Sequence, residues 1–284
     1  MFELLLENSE KKAVNLNDGV NYLVIEFEGF DPPPASLYTS KSPNRKGSKK
    51  NGSTLAERTL LFQIKILGDV EENRNALYEW TDTETELKIY YKNGVKNVYC
   101  EGTVTDCDVP VCTDNEIMTV AITCPDPYLK DLEEIATEIS NLLKHFTFPF
   151  AIGAEGIPFS TIREDNSTNV FNAGAETGVL IRIKALGAVS NISLYDANDA
   201  TRIFSINMTL QAGEVIEIDT GRSPRTVKLI RTNGATENIL RYVGHNPSPT
   251  WFLLKKGNNI FGYTASDTGN VEVTFSFTNK YLGA

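Results

Sequence analysis

Residue types that perform acid–base, nucleophilic or metal chemistry are sparse in this chain and poorly spaced for it. Glu214, Glu217 and Asp219 could supply paired carboxylates for general acid–base work. Val215, Ile216 and Ile218 mark their surroundings as a β-strand. Glu217 and Asp219 then emerge on one face with a period of two, and Glu214 precedes them at a turn, which reads as a solvated sheet face. The histidines, His145 and His245, are far apart in sequence. No histidine-rich metal motif, no nucleophile elbow and no phosphate-binding loop is present in the sequence. Cys100, Cys107, Cys112 and Cys124 lie within 25 residues, with gaps unlike the paired cysteines of zinc sites. Cys100 and Cys124 sit in apolar, strand-like runs and read as small core residues. The expectation is a protein that is not an enzyme and uses no metal and no cofactor.

The elements around these residues are mostly strands. Residues 215–218 and 227–230 form two strands, with turn signals at Asp219-Thr220-Gly221 and Ser223-Pro224. The second ends at Asn233-Gly234, a dipeptide suited to a type I′ turn because both central residues there need positive φ. Short strands at 179–183, 192–195, 203–206 and 271–275 recur with turns between them, the pattern of an all-β sandwich or jelly roll. Trp251 has apolar neighbours and reads as core.

The first half is a mixture of strands with one short helix. Residues 22–27 are rich in β-formers, and Leu60, Phe62, Ile64 and Ile66 alternate in the next strand. Asp69 caps a helix over about 70–80, with Glu71 and Glu72 in its first turn and Ala76, Leu77 and Trp80 on its core face. Strands at 86–91, 98–105 and 117–123 complete an antiparallel α+β domain. Leu132, Ile135, Ile139, Leu142 and Leu143 fall at helical spacing and predict an amphipathic helix over 129–143. The aromatic stretch with Phe146, Phe148, Phe150 and Phe159 is too apolar for a free linker. The division between domains is expected near residue 150, giving 1–150 and 151–284.

Composition bounds the partners. The net charge is −10, and residues 1–149 hold 15 Lys and Arg against 25 Asp and Glu, while residues 150–284 hold 12 of each. An acidic body repels nucleic-acid phosphates. Within this acidic half, residues 35–56 contain no acid and carry Lys41, Arg45, Lys46, Lys49 and Lys50. Their low apolar content predicts a long mobile loop or an extended hairpin arm, aimed at an acidic surface. No apolar run approaches the about 18 residues of a membrane-spanning helix. The N-terminus is too short and acidic for a secretory signal, so cytosolic synthesis is expected. Disulfides are then unexpected, and the sequons at Asn51, Asn166, Asn191 and Asn207 are chance matches.

Several segments together resemble a known family. The Gly-Glu-x-Ile-x-Ile-Asp-Thr strand from Gly213, the Asn233-Gly234 turn, the strand at Trp251-Phe252, the Lys256-Gly257-Asn258-Asn259 turn and the terminal Tyr281-Leu282-Gly283 are similar to the C-terminal half of phage distal tail proteins. The Arg58-led strand, the short helix and the closing Cys124-Pro125-Asp126-Pro127-Tyr128 resemble the N-terminal domain of the same family. The resemblance implies a mainly β protein: a tail-tube-like β-barrel or sandwich with a short helix, followed by a galectin-like jelly-roll β-sandwich. It implies a virion structural protein at the tail tip, or baseplate, of phages with Gram-positive hosts, assembled in the host cytoplasm. Six copies would form a ring joining the tail tube to the host-adsorption device. Its partners would be further copies of itself, the tail-tube protein, a tail-associated hub or lysin protein, and receptor-binding or other baseplate proteins, with no membrane insertion. The basic residues Lys41, Arg45, Lys46, Lys49 and Lys50 would then contact neighbouring subunits. Genome DNA would pass through without specific binding, and Glu71, Glu72, Asp82, Glu84 and Glu86 are the candidate lumen-facing acids. Two other roles fit the same elements: a carbohydrate-binding adhesion module recognising host-wall sugars, and a tail-tube subunit.

Overall fold

The computed structural model describes residues 2–42, 46–110, 116–140, 142–144, 160–162, 167–221, 224–245 and 249–284. The chain is mainly β and divides into two compact units, Met1–Leu132 with Lys280–Ala284, and Glu133–Asn279.

The first unit contains β1 (Glu3–Glu7), β2 (Ala13–Asn15), β3 (Tyr22–Glu28), β4 (Ala35–Ser40), β5 (Lys49–Leu55), β6 (Arg58–Ile66), α1 (Val70–Tyr78), β7 (Glu86–Lys92), β8 (Asn97–Asp108), β9 (Ile117–Cys124) and β10 (Leu129–Asp131). Its main sheet is antiparallel in the order β2-β1-β7-β8-β9-β6-β3, with β10 beside the start of β8. Alternation decides which face is inside: Leu60, Phe62, Ile64 and Ile66 of β6 and Met118, Val120 and Ile122 of β9 are buried. The terminal strands β2 and β3 do not pair among the described residues, so the barrel form of the expectation gives way to an open sheet. Asp69 caps α1 as expected, its Oδ1 accepting from the Glu72 amide at 3.2 Å. A nine-residue helix is too short to hold by propensity, and tertiary bonds fix it. Tyr22 Oη donates to the Asn73 carbonyl, and Arg74 pairs with Glu116 at 2.7 Å. Leu77 is the buried residue of α1, and Trp80 packs beside the core. Ala76, expected on the same face, is exposed.

The second unit contains β11 (Ile135–Ser140), β12 (Leu142–Lys144), β13 (Ser160–Ile162), β14 (Ser167–Asn172), β15 (Thr177–Gly178), β16 (Leu180–Ala185), β17 (Ile192–Asp196), β18 (Asp199–Ile206), β19 (Val215–Asp219), β20 (Thr226–Ile230), β21 (Thr236–Asn238), β22 (Leu253–Leu254), β23 (Gly257–Thr264) and β24 (Val271–Phe277). A last strand, β25 (Lys280–Tyr281), returns to the first unit and pairs with β10. Two antiparallel sheets, β11-β24-β16-β19-β20-β21 and β14-β23-β17-β18, form a β-sandwich. Ile181, Ile183, Ile216, Ile218 and Phe275 from one sheet and Leu194, Phe204, Phe261 and Tyr263 from the other enclose a shared core. Trp251 packs on it, edge to face with Phe204 at 5.2 Å between centroids.

Two local expectations are corrected. The helix expected over 129–143 is replaced by β10, β11 and β12. Ile135 and Ile139 satisfy helical spacing, but with Thr137 they also share one face of a strand. The edge of β24 offers this segment six residue pairs, from Ile135 with Phe277 to Ser140 with Glu272, and that pairing wins. The two compact units meet in sequence between Leu132 and Glu133. The Asn233-Gly234 hairpin exists, but only Gly234 has positive φ, at 81°. Gly234 N donates to the Arg231 carbonyl and Arg231 N to the Ala235 carbonyl, so the loop is a tight turn closed by a left-handed glycine, not a type I′ turn. The aromatic stretch with Phe146, Phe148, Phe150 and Phe159 lies outside the described residues.

Candidate functional site

Ala35–Ser40 and Lys49–Leu55 form the hairpin alternative of the sequence reading. β4 and β5 pair with each other and with no other described strand. Every residue of β4 is exposed, including Leu37 at 60% and Tyr38 at 56%. The ladder shifts register after Tyr38, where Asn51 is extra, and Ser40 Oγ donates to Asn51 Oδ1 at 3.3 Å. An isolated two-stranded hairpin is marginally stable in water. Lys41, Lys46 and Lys49 line a concavity of about 480 Å³ at the tip. Lys50 follows on β5, and Arg45 lies outside the described residues. Among the described residues, none of Lys41, Lys46, Lys49 and Lys50 pairs with a carboxylate. The arm is thus a projecting, uncompensated positive surface.

The five candidate acids are all exposed. Glu71 and Glu72 share the first turn of α1, where carboxylates favour the helix dipole. Asp82 and Glu84 share the turn before β7, with Asp82 Oδ1 accepting from the Glu84 amide at 2.9 Å. Glu86 opens β7 and lines a notch of about 190 Å³ with Glu7, Lys11, Lys88 and Glu101, where the charges are mixed.

The sequence reading missed the role of Arg58. Its side chain is 1% exposed and faces the core in step with Leu60 and Phe62. It donates from Nε to the Pro127 carbonyl at 2.9 Å, and from the guanidinium to Asp31 at 2.9 Å, to Leu282 at 2.6 Å and to Gly29. Burial pushes the guanidinium below its ordinary value. Four backbone carbonyls from three chain segments, 29–31, 127 and 282, therefore converge on one cation. The signal was available: an arginine at the core parity of an alternating strand must find buried acceptors. Beside it, the Cys100 and Cys124 sulfurs are 3.8 Å apart and buried, as the apolar context implied. The neighbouring sulfur and burial push the Cys100 thiol up. Cys112 lies outside the described residues, and Cys107 is half-buried.

The carboxylates of β19 do not converge into a catalytic pair. Glu217 lies on the outer sheet face and accepts from Arg182 Nε at 3.1 Å. Glu214 departs from the solvated reading: it is 5% exposed and accepts from the Gln211 amide and from Arg231, each at 2.9 Å. Arg231 also binds Glu237, which binds Arg241, so these groups form a chain of ion pairs. His245 is exposed, and His145 lies outside the described residues. Among the described residues, no group of three or more His, Cys, Asp or Glu could hold a metal ion. None of the described helices is long and apolar enough to cross a membrane.

Comparison with known proteins gives the following likenesses. Residues 172–281 match the family described as siphovirus-type tail component, C-terminal domain. The chain is similar in structure to the Dit protein of phage SPP1, described as a paradigm of the hub adsorption apparatus in phages that infect Gram-positive hosts. The TM-score is 0.70 at 15% identity, covering 98% of this chain and 99% of that one. It is also similar to a chain of the phage P2 baseplate in its activated conformation with Ca, with a TM-score of 0.51 at 11% identity and full coverage of both chains. At these identities the likeness is one of fold. No curated protein matches the chain.

Proposed function

We propose that this chain, which belongs with the phage distal tail proteins by its C-terminal domain and by its fold, is a structural component of a tail tip and works as a closed ring of six copies. The ring joins the tail tube to the adsorption device. Its role is structural, and its partners are further copies, the tube protein, a tail-associated hub or lysin protein, and receptor-binding or other baseplate proteins. The protein is carried in the virion and assembled in the host cytoplasm.

The observation that carries this reading is the β4–β5 arm. A hairpin with no sheet to lean on, five cations in its sequence and no acid is poorly stabilised by its own chain. It is well suited to an acidic neighbour, and the rest of the same unit supplies an acidic surface. A closed cyclic assembly needs two different complementary patches on each copy. The arm and the acidic wall provide such a pair, with Lys41, Arg45, Lys46, Lys49 and Lys50 as the contact residues. Glu71, Glu72, Asp82, Glu84 and Glu86 are exposed, as residues of a channel lining must be. An acidic lumen repels DNA over about 8–10 Å at ordinary salt, so that the genome passes without sticking.

Light scattering of the purified chain, followed by end-on electron microscopy, tests the ring: six-fold particles are expected. Deleting residues 41–50 is expected to lower the fraction in rings without unfolding either unit. A chain that stays monomeric at all concentrations and with tube protein present overturns the ring. Rings undiminished by the deletion overturn the role of the arm.

A further inference from the structure

Three asparagine–glycine dipeptides occur in the sequence: Asn51-Gly52, Asn93-Gly94 and Asn233-Gly234. Such a pair can rearrange without a catalyst, because no Cβ on the glycine hinders its amide from reaching the asparagine side chain. The fold treats the three differently.

Asn93 is held at both atoms of its side-chain amide. Its Oδ1 accepts from the Val95 amide at 2.8 Å and the Lys96 amide at 2.7 Å, and its Nδ2 donates to Tyr91 Oη at 3.3 Å. The turn joins β7 to β8 within the main sheet. Asn233 Oδ1 accepts from the Ala235 amide at 3.0 Å, and the amide that would have to attack it, Gly234 N, donates to the Arg231 carbonyl at 2.9 Å.

Asn51 differs on each count. It is exposed, and it is the extra residue between Lys50, which pairs with Thr39, and Gly52, which pairs with Tyr38. Its one side-chain hydrogen bond among the described residues comes from the exposed Ser40 Oγ, at 3.3 Å, and its Nδ2 donates to none of them. Gly52 has no positive φ, and a Cβ there would lie 3.8 Å from Tyr38 Cδ2, an ordinary contact. The fold therefore does not require this glycine. The ladder over the pair belongs to an isolated hairpin, which opens more readily than the strands of the main sheet. Residues 35–56 contain no acid, and Lys49 and Lys50 directly precede Asn51, so the local field favours an amide anion.

We propose that Asn51 is a site of spontaneous deamidation, with water as the only co-reactant. The Gly52 amide nitrogen bonds to Asn51 Cγ. The Cγ–Nδ2 bond breaks, and the Nδ2 group leaves as ammonia with the proton that Gly52 gave up. Water then opens the cyclic imide at either carbonyl, leaving aspartate or isoaspartate. Either product places the first carboxylate within residues 35–56 and cancels one positive charge of the arm. Isoaspartate also adds a backbone atom where the ladder already slips. The chemistry does not depend on ring assembly.

The full chain is aged in warm, mildly alkaline buffer. Each position is followed by peptide mass mapping, with enzymatic methylation of isoaspartate as a second readout. Asn51 is expected to convert about tenfold or more faster than Asn93 and Asn233. Gly52→Val is expected to abolish the fast conversion and to leave the melting temperature unchanged, since the added side chain fits the strand. Conversion of Asn51 no faster than that of the other two overturns the proposal. So does fast conversion that survives Gly52→Val.

Discussion

Replacing Arg58 by methionine removes the guanidinium while keeping most of the side-chain volume. Four carbonyls, those of Gly29, Asp31, Pro127 and Leu282, then lose a charged donor inside the first unit. Leaving a buried polar group unpaired costs about 1–3 kcal/mol. A carbonyl keeps its second lone pair, so the lower bound applies, and the sum is about 4 kcal/mol. For a unit of this size each kcal/mol moves the melting temperature by roughly 3–4 °C, so a fall of about 12–16 °C is expected in its transition. Calorimetry reads the transition, and hydrogen exchange reads the place. The amide of Ala284, which donates to the Phe30 carbonyl at 3.1 Å, is expected to lose protection first. Arg58→Lys keeps the charge but not the planar fork, and its loss is expected to be about half as large. A fall of less than about 3 °C in Arg58→Met, or unchanged exchange at the C-terminal residues, refutes the clasp.

Other predictions follow from separate features. A fragment of residues 133–279 is expected to melt cooperatively with β-type circular dichroism. A fragment of 151–284 lacks β11 and exposes the edge of β24, and is expected to be markedly less stable or to aggregate. Tyr263 is fully buried and donates to the Thr268 and Val271 carbonyls, and burial pushes its phenol up to about 12. In the unfolded chain the phenol ionises near about 10, so this contribution is complete below that pH and is lost as the pH rises toward about 12. Tyr263→Phe is expected to flatten the alkaline arm of the stability curve, measured by denaturation at stepped pH. Reversing Lys41, Lys46, Lys49 and Lys50 to Glu is expected to shift assembled particles toward monomer in sedimentation. High salt acts in the same direction on the unaltered chain.

Much of the chain was legible from local pattern. β6, β9, β16 and β19 are each written as alternating apolar positions, and alternation needs only a buried face to act on. Asp69 and Gly234 announced a helix start and a turn because capping and positive φ are properties of one or two residues. The resemblance to distal tail proteins rested on the same kind of short, ordered signals, and the matched domain over 172–281 bears it out. The basic composition of residues 35–56 already pointed to an arm.

What tertiary structure alone decided lies where a residue's role depends on a partner distant in sequence. Residues 135–140 carry an apolar spacing that suits a helix as well as a strand, and the free edge of β24, more than 130 residues away, settles it. Glu214 looks like a turn carboxylate until Arg231 covers it. Tyr195 looks like any strand tyrosine until Gly262, across the ladder, makes room for its ring. Arg58 shows the case most plainly: its parity in β6 fixed that it points inward, but the acceptors come from Gly29, Asp31, Pro127 and Leu282, and only folding brings those carbonyls to one charge. Periodicity is a property of neighbours along the chain, whereas the satisfaction of a buried polar group is a property of neighbours in space.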